Sequence, residues 1–377
     1  MSWQVIRDGD PNDLFRSEFW RALTDLNMDS TLGSCILTRF GNTIGEFLEW
    51  NGESYSRERV ETLQRVVYDR YLSLLTEPVC DDIKVFVKQE PHKVSKIQEG
   101  RFRLISAVSL IDTMVDRVLF GELYRNIARD FGSTTIMIGW NPIKNGVTFL
   151  RDRLGPGPYL SLDKTAWDWT VQEWMVNLVK DYLLIVHPDS PNWFRRMVKE
   201  RFRLLFGNPF FIFSDGTRIQ QKAPGIMKSG CYLTILFNSL GQILLHHMAA
   251  VRIGRTPVPV FALGDDTIQR KVEWWEDLIK SVESFGFSVK HSVHDEVIFC
   301  GFVMDGIHFV PEYREKHRFQ LEHLTLDEEV AKQTLQSYQI LYYHDLGVLK
   351  EIRRLARERG LSAIIPRARL FEMIFGS

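Results

Sequence analysis

The sequence predicts an α+β protein, and two patterns carry that prediction. Apolar residues recur at helical spacing over residues 57 to 76 and again over residues 110 to 130. Short apolar runs bounded by turn residues are typical of strands, most clearly in residues 257 to 272, PVPVFALGDDTIQRKV. Because no internal repeat, low-complexity tract or long linker separates the two patterns, we expect interleaved subdomains.

The other elements follow in chain order. Residues 83 to 87 predict a short strand, and GPGPYLSLD at residues 155 to 163 predicts a turn that leads into a strand with Asp163 at its end. The pattern is helical over residues 169 to 187, 226 to 250 and 273 to 285, with a Pro-Gly turn before the second of these helices. Strand pieces are predicted around residues 296 to 310, and helices from residue 325 onward.

Composition allows a large core and argues mildly against a nucleic-acid ligand. The 377 residues are 45% hydrophobic and 12% aromatic, enough for two or three subdomains, but the net charge is only −1. Basic residues are nevertheless clustered: six Lys or Arg against two acidic residues in 84 to 103, seven against two in 350 to 369, and RRMVKERFR at 195 to 203. Each block alone is typical of a solvated helix face. Together they indicate an interior basic channel.

Cysteines and apolar runs bear on compartment and membrane. Four cysteines lie far apart without a CxxC pair, so neither a zinc cluster nor a disulfide framework is predicted, and a reducing compartment fits best. The most apolar stretch, residues 231 to 251, is interrupted by Asn238, Gln242, His246 and His247. We therefore expect no membrane span, and the N-terminal sequence does not resemble a signal peptide.

Two sets of carboxylates suit metal-assisted phosphoryl transfer. That chemistry needs two divalent ions about 4 Å apart, and magnesium accepts a few carboxylates completed by substrate phosphates and water. Asp163 and Asp265, at the ends of two predicted strands, meet this requirement. Each has a simpler interpretation, since Gly264-Asp265-Asp266 is an ordinary hairpin turn and the Asp168 of DKTAWD suits a helix cap.

Four segments in this order resemble the polymerase motifs of positive-strand RNA viruses, over residues 84 to 304. The first, KQEPHKVSKIQEGRFRLI at residues 88 to 105, resembles the basic fingers motif. The resemblance implies that Lys88, Lys96 and Arg103 bind the incoming triphosphate and that Glu90 orients one of these cations. Fixed positive charge there would stabilise the charge that develops on the pyrophosphate leaving group.

The palm motifs carry the resemblance further. SLDKTAWDWT implies Asp163 as a metal ligand and Asp168 as a sensor of the ribose 2′-hydroxyl. GIMKSGCYLTILFNS, residues 225 to 239, resembles the second palm motif and implies nucleotide binding by Ser229, Gly230, Thr234 and Asn238. Thr234 and Asn238 are four residues apart and so share a helix face. In a purely structural interpretation, they are polar core groups whose hydrogen bonds are satisfied within the protein.

The last motifs complete the implied site. FALGDDT resembles the third palm motif, with Asp265 as metal ligand and Asp266 assisting. FGFSVKH and FCGFVM resemble the fourth and fifth motifs, which implies a general acid near the fourth; Lys290 is our candidate, with His291 and His294 as alternatives. Together the motifs imply Mg²⁺, replaceable by Mn²⁺, at Asp163, Asp265 and Asp266.

The resemblance also implies an architecture and partners. We expect a right-hand polymerase with fingers at 1–155 and 188–222, an antiparallel-sheet palm at 156–187 and 223–304, and a compact helical thumb at 305–377. The amino-acid sequences of the motifs are most similar to those of the sobemovirus, polerovirus and barnavirus group. Partners would be NTPs, an RNA template and its product duplex, in a viral replication complex of the host cytoplasm. The sequence does not decide whether RNA synthesis starts de novo or from a genome-linked protein primer.

Two other classes of function are weighed against RNA synthesis. Another two-metal enzyme, such as a reverse transcriptase or a phosphodiesterase, would share the aspartates but would not predict Lys88, Lys96 and Arg103 or Asn238. A non-catalytic RNA-binding protein that keeps the fold would not need intact carboxylates. The sequence therefore favours an RNA-dependent RNA polymerase.

Overall fold

The computed structural model describes residues 9–92 and 94–376. Its helices are α1 Pro11–Thr24, α2 Ile44–Leu48, α3 Arg57–Ser73, α4 Val94–Gln98, α5 Leu110–Arg129, α6 Gly146–Leu154, α7 Trp167–Thr170, α8 Glu173–Ile185, α9 Asn192–Phe202, α10 Thr234–Arg252, α11 Trp275–Glu283, α12 Arg314–Glu322, α13 Glu328–Leu341, α14 Leu346–Glu358 and α15 Arg367–Phe375. Short 3₁₀ and π turns occupy Ile36–Phe40 and Arg203–Gly207.

Eleven strands lie between these helices in the described part of the chain. They are β1 Ile83–Val87, β2 Leu104–Ala107, β3 Tyr159–Lys164, β4 Phe210–Phe213, β5 Arg218–Gln220, β6 Val260–Leu263, β7 Asp266–Arg270, β8 Val289–His294, β9 Val297–Phe299, β10 Phe302–Asp305 and β11 His308–Pro311. Helices and mostly antiparallel sheets in one chain confirm the predicted α+β class.

The chain divides into two compact units. The first combines the described residues up to Ser133 with Ala166–Gly241. Its sheet has the order β2-β1-β4-β5, in which β1 and β4 are parallel and the other pairs antiparallel. Two buried ion pairs lie in its core, because Arg201 contacts Asp116 at 2.6 Å and Asp112 at 3.6 Å. A guanidinium this deeply buried is tolerated only with such partners.

The second unit combines Thr134–Thr165 with the described residues from Gln242 onward. Its main sheet has the order β6-β7-β3-β8 and is antiparallel throughout, so that β3 is an interior strand. A smaller antiparallel sheet, β11-β10-β9, follows. The helices α13 and α14 enclose a separate apolar cluster around Leu335, Tyr342 and Ile352. Across the described residues, no helix combines the length and the apolar character needed to cross a membrane.

Most predicted elements are confirmed, but the helix predicted over residues 226 to 250 is wrong at its start. The helix α10 begins only at Thr234. Before it, Ile226 has a left-handed backbone with φ 53°, and the buried Lys228 ammonium donates hydrogen bonds to the carbonyls of Gly225 and Ile226. Those carbonyls would accept the helical hydrogen bonds, so the lysine replaces one turn of helix with a loop. The helix predicted over 169 to 187 is likewise divided into α7 and α8.

Candidate active site

A tight hairpin presents two aspartates at one end of the main sheet of the second unit. Leu263 pairs with Asp266, so the turn between β6 and β7 consists of Gly264 and Asp265 alone. Gly264 has a left-handed backbone with φ 65°, which glycine adopts without steric cost. Asp265 and Asp266 both reach solvent at this tip, while neighbouring groups cover part of the Asp266 carboxylate.

Asp163 reaches the same end of the sheet from the neighbouring strand. Tyr159 and Ser161 of β3 lie opposite Arg270 and Ile268 of β7. Continuing that register by two residues puts Asp163 opposite Asp266, on the same face of the sheet. Asp163 is exposed, whereas Leu162 and Lys164 on either side of it are buried, because successive strand residues point to opposite faces. The structure therefore gathers the three predicted carboxylates.

Electrostatics mark this cluster as a place for a cation. Desolvation, followed by the negative charges of Asp265 and Asp163, raises the pKa of Asp266 to about 6. The Cys300 thiol hydrogen-bonds to Asp266, and burial raises the pKa of that thiol far above its usual range. Three carboxylates that repel one another form a donor set of the hard oxygen type that Mg²⁺ prefers.

The carboxylates do not form a complete metal site by themselves. Among the described residues, no group of three or more His, Cys, Asp or Glu side chains has the arrangement of a self-sufficient metal site. Mg²⁺ commonly takes one or two carboxylates and completes its shell with water and substrate phosphates. The residues present fit an ion that arrives with its substrate.

Behind the carboxylates lies a buried polar network that the sequence did not predict. The Lys164 ammonium is 2.7 Å from His246 Nε2 and donates to the Leu162 carbonyl at 3.2 Å and the Thr267 hydroxyl at 3.4 Å. His246 Nδ1 is 2.9 Å from Gln269 Oε1. The network joins β3, β7 and α10 on the face opposite Asp163. Burial lowers the pKa of Lys164 to about 7, against the opposing charges of Asp163 and Asp265.

One signal in the sequence would have located this network. Lys164, Thr267 and Gln269 alternate with Asp163, Asp266 and Ile268 along their strands, so a strand assignment alone assigns them to the face opposite the aspartates. Polar side chains on the buried face of a strand need partners. The identity of the partner, His246, depends on how α10 packs and was not predictable.

Lys290, the candidate general acid, lies beside Asp163. In the β3–β8 pairing, Asp163 is directly opposite Lys290 and Leu162 is opposite His291. Directly opposed residues of an antiparallel pair share a face, so Lys290 is on the carboxylate face and His291 is on the other. His294 is opposite Tyr159, four residues from Asp163 along the strand. The register therefore favours Lys290 over both histidines.

In the first unit, Asp168 and Asn238 contact each other. Asn238 Nδ2 donates to Asp168 Oδ1 at 3.2 Å. The Asn238 Oδ1 atom is buried and has no hydrogen-bond partner among the described residues. Buried amide oxygens normally accept a hydrogen bond, so this atom is suited to a donor from a ligand. The hydrogen bond holds the two side chains together as a pair.

The loop before α10 is held against β2. The Ser229 amide donates to Ser106 Oγ at 3.0 Å, and the Gly230 amide donates to the Ser106 carbonyl at 3.0 Å. Thr234 uses its hydroxyl locally, donating to the carbonyls of Lys228 and Cys231. Thr234 and Asn238 lie on one face of α10 as predicted, but Thr234 also anchors the loop to the helix.

The same loop contains a buried lysine that the sequence did not single out. The Lys228 ammonium donates to Gln221 Oε1 and to the Ile226 carbonyl, each at 2.8 Å, and lies 5.3 Å from the Phe206 ring centroid. Burial lowers its pKa to about 7. The lysine fixes the backbone that leads to Ser229.

The structure brings together two of the three predicted triphosphate contacts. Glu90 lies 3.4 Å from the Lys88 ammonium and 3.3 Å from the Arg103 guanidinium, so it orients two cations where one was expected. The Lys88 amide also donates to the Arg103 carbonyl at 2.8 Å. Lys96 is on α4 with an exposed side chain, and in the described part of the chain no ion pair holds it.

Comparison with known proteins gives one consistent result. The family model described as viral RNA-dependent RNA polymerase matches residues 22–337. The chain is 35% identical over 212 residues to the replicase polyprotein P2AB of Southern bean mosaic virus, covering 55% of this chain and 21% of that protein. It therefore spans about a fifth of that relative.

Two further relatives come from other virus groups. Protein P1-P2 of Potato leafroll virus is 29% identical over 306 residues, covering 74% of this chain and 26% of that protein. The RNA-directed RNA polymerase of Mushroom bacilliform virus is 25% identical over 301 residues, covering 76% of this chain and 71% of that protein. Both alignments are long enough to include most of the predicted motifs.

Proposed function

The chain belongs to the viral RNA-dependent RNA polymerase family, and from this premise we propose that it adds ribonucleoside monophosphates from NTPs to an RNA 3′ end under the direction of an RNA template. The reaction joins the 3′ oxygen of the RNA to the α-phosphorus of the NTP and releases pyrophosphate. One observation carries the proposal: Asp163 meets Asp265 and Asp266 at one end of the sheet β6-β7-β3-β8.

Asp163 and Asp265 would hold the divalent ions, and Asp266 would assist. Family members generally use divalent metal ions, and Mg²⁺, or Mn²⁺ in its place, suits these carboxylates. When bound, the ions would supply charge neutralisation for the attacking and leaving oxygens. The chain's own part is to keep the carboxylates on two adjacent, hydrogen-bonded strands. The buried Lys164 network supports that part because it bonds to both strands.

Two sets of basic residues would handle the charge and the proton of the leaving group. Lys88 and Arg103, oriented by Glu90, would bind the triphosphate together with Lys96 and stabilise the charge that the pyrophosphate keeps. Lys290 would donate a proton from its ammonium to the pyrophosphate oxygen. Its position opposite Asp163 in the strand register supports this assignment.

Asp168 and Asn238 would recognise the ribose. A 2′-hydroxyl both donates and accepts, and the pair offers a carboxylate oxygen and the partnerless Asn238 Oδ1 as acceptors. Ser229 and Gly230 would form a turn near the templating base, and Thr234 would lie beside the sugar on the same helix face as Asn238. A reverse transcriptase has to exclude the 2′-hydroxyl, so an acceptor pair of this kind favours ribonucleotides.

The family resemblance suggests how the chain is divided and where it works. We propose fingers at 1–155 and 188–222, a palm at 156–187 and 223–304, and a thumb at 305–377. The thumb would contact the phosphates of the template and product duplex through its basic residues 350 to 369. Initiation de novo and initiation from a genome-linked protein primer are both compatible with this proposal, in which the chain works in a replication complex of the host cytoplasm.

Template-directed incorporation by purified chain tests the function. The assay measures [α-³²P]NTP incorporation on a primed RNA template with Mg²⁺, for wild type, Asp265→Ala and the control Asp295→Ala. Asp295 is an exposed aspartate between β8 and β9, outside the cluster. We expect synthesis by wild type and the control and a loss of at least about a thousandfold in Asp265→Ala. Undiminished synthesis by Asp265→Ala would contradict the proposal.

The same assay separates the two alternatives. Incorporation of dNTPs in preference to NTPs would identify a reverse transcriptase. RNA binding without incorporation by wild type, under conditions that support a related polymerase, would identify a non-catalytic RNA-binding protein.

A further inference from the structure

A groove of about 490 Å³ opens in the second unit, at the end of the main sheet opposite the carboxylates. Arg153, Phe261, Arg270, Lys271, Glu273 and Trp274 are among its lining residues. Asp266 begins β7 and Arg270 ends it. At about 3.4 Å per strand residue, the two side chains start roughly 14 Å apart along the strand. The groove is therefore separate from the candidate active site.

The groove has an excess of positive charge. Three cations face one carboxylate, that of Glu273. In the described part of the chain, neither Arg270 nor Lys271 has a carboxylate within ion-pair distance. Two of the cations lie near aromatic rings: the Arg153 guanidinium is 6.0 Å from the Phe261 ring centroid, and the Lys271 ammonium is 5.4 Å from that of Trp275. A ring contact does not remove the charge of Lys271, so its ammonium can still bind an anion.

The walls are apolar and aromatic. Phe261 is buried, while Trp274 is half-buried and offers part of its indole to the groove. A backbone hydrogen bond helps to fix this end of the sheet, because the Lys271 amide donates to the Pro158 carbonyl at 2.9 Å. A ligand that satisfies both features needs a negative group for Arg270 and Lys271 and a flat apolar body for Trp274.

We propose that this groove binds a nucleoside 5′-phosphate, either as a free nucleotide or as one unit of an RNA strand. The volume matches one nucleotide, since small-ligand sites occupy about 300 to 1,000 Å³. The phosphate contacts Arg270 and Lys271, and the base stacks on Trp274, the combination by which single strands are bound without sequence preference. Glu273 accepts hydrogen bonds from the sugar hydroxyls. The site does not depend on the proposed catalytic function.

An acidic peptide has the negative charge of a nucleotide but lacks its flat aromatic base. Its carboxylates would satisfy Arg270 and Lys271 and leave the aromatic wall unused. A second groove of about 390 Å³, lined by Arg252, Arg255 and Lys280, has no aromatic lining residue and supplies a matched control for charge alone.

Equilibrium binding tests the site. Fluorescence anisotropy with mant-ATP and with a fluorescein-labelled ten-nucleotide single-stranded RNA is measured in EDTA, which weakens nucleotide binding at the carboxylates. The variants are Arg270→Glu/Lys271→Glu, Trp274→Ala and Trp274→Phe. The control, Arg255→Glu/Lys280→Glu, changes the net charge by the same amount. Circular dichroism checks that each variant is folded.

We expect Arg270→Glu/Lys271→Glu to weaken binding of at least one probe by about tenfold or more. Trp274→Ala should weaken binding of that probe by about fivefold or more. Trp274→Phe keeps an aromatic ring and should therefore retain most of the wild-type affinity. The affinity of the control variant should stay within about twofold of wild type. An effect on both probes indicates a free-nucleotide site, and one on RNA alone indicates a strand. Equal weakening by the control, no effect of Trp274→Ala, or equal competition by oligoglutamate and ATP would each overturn the proposal.

Discussion

The Lys164 ammonium lies 2.7 Å from His246 Nε2 in a space that solvent does not reach. The contact joins the strand that carries Asp163 to the helix α10. Lys164 also bonds to the hydroxyl of Thr267, the residue after Asp266. A single buried side chain thus connects the two strands from which the carboxylates project. Its removal should therefore shift the positions of these carboxylates.

We expect Lys164→Met to lower the rate of RNA synthesis at saturating NTP by about tenfold, because a displaced carboxylate no longer matches the transition state. The free energy of unfolding should change by less than the activation free energy of RNA synthesis. The hydrogen bonds that are lost are offset by the removal of a buried charge. Single-turnover extension and urea unfolding measure the two effects. Lys280→Met, an exposed lysine of α11, is the control. A Lys164→Met variant that extends RNA at the wild-type rate would remove the positioning role.

Asp168→Ala and Asn238→Ala should each reduce the preference for ribonucleotides over deoxyribonucleotides by about tenfold, the effect of losing one hydrogen bond to the 2′-hydroxyl. Single-nucleotide incorporation kinetics with CTP and dCTP give the ratio. Ser239→Ala is the matched control, because Ser239 follows Asn238 in α10 and its hydroxyl donates to the Ile235 carbonyl. Unchanged discrimination in both variants would show that the pair has no part in sugar selection.

Arg103→Ala should lower turnover and the efficiency of nucleotide use by about tenfold or more, since a contact to the leaving phosphates acts mainly in the transition state. The comparison is with Arg101→Ala, which removes a nearby exposed arginine paired with Glu99. Steady-state kinetics and RNA binding are measured for both. If RNA affinity alone falls in Arg103→Ala, the residue belongs to the template path.

Lys228 predicts a pH dependence of stability. Burial lowers its pKa to about 7 in the folded chain, whereas an unfolded lysine titrates near 10.4. Between these values the unfolded chain binds more protons, so the free energy of unfolding rises with pH by up to about 1.4 kcal/mol per pH unit from this group. In Lys228→Met that contribution is absent, and its stability relative to wild type should fall from pH 7 to pH 9.

Urea unfolding at pH 7, 8 and 9 checks this prediction. Other titrating groups contribute equally to both proteins and cancel in the difference. Lys180→Met is the control, because Lys180 lies on α8 in the same unit and hydrogen-bonds to Asn177 near solvent. Parallel stability curves for wild type and Lys228→Met would mean that the lysine is not destabilised by burial.

Local patterns were enough to predict the elements around the carboxylates. The hairpin of β6 and β7, the strand that ends near Asp163, and the helices α3 and α5 all have periodicity or turn residues that act within a few positions. The grouping of Asp163 with Asp265 and Asp266 was also predictable, because it follows from strand ends and the family resemblance. The roles assigned to these residues stay predictions.

What escaped prediction depends on contacts between distant segments. The start of α10 was misplaced because the Lys228 ammonium donates to carbonyls that would accept hydrogen bonds within a helix. The apolar pattern of residues 226 to 233 gives no sign of these hydrogen bonds. The partner of Lys164 is 82 residues away in the chain. Residues of the basic groove, such as Arg153 and Trp274, come from separate segments and have no common motif.

The backbone at Gly264 leads to one more consequence, which concerns sequence variation. An added Cβ there would meet no heavy atom of the described residues within 4 Å, so the cost of a side chain comes from the dihedral angle of φ 65° and not from crowding. A left-handed backbone costs most residues about 1 to 2 kcal/mol and asparagine less. A substitution at the first residue of the Gly-Asp-Asp turn should therefore cost a modest amount of stability, least for asparagine, while the two carboxylates after it are retained.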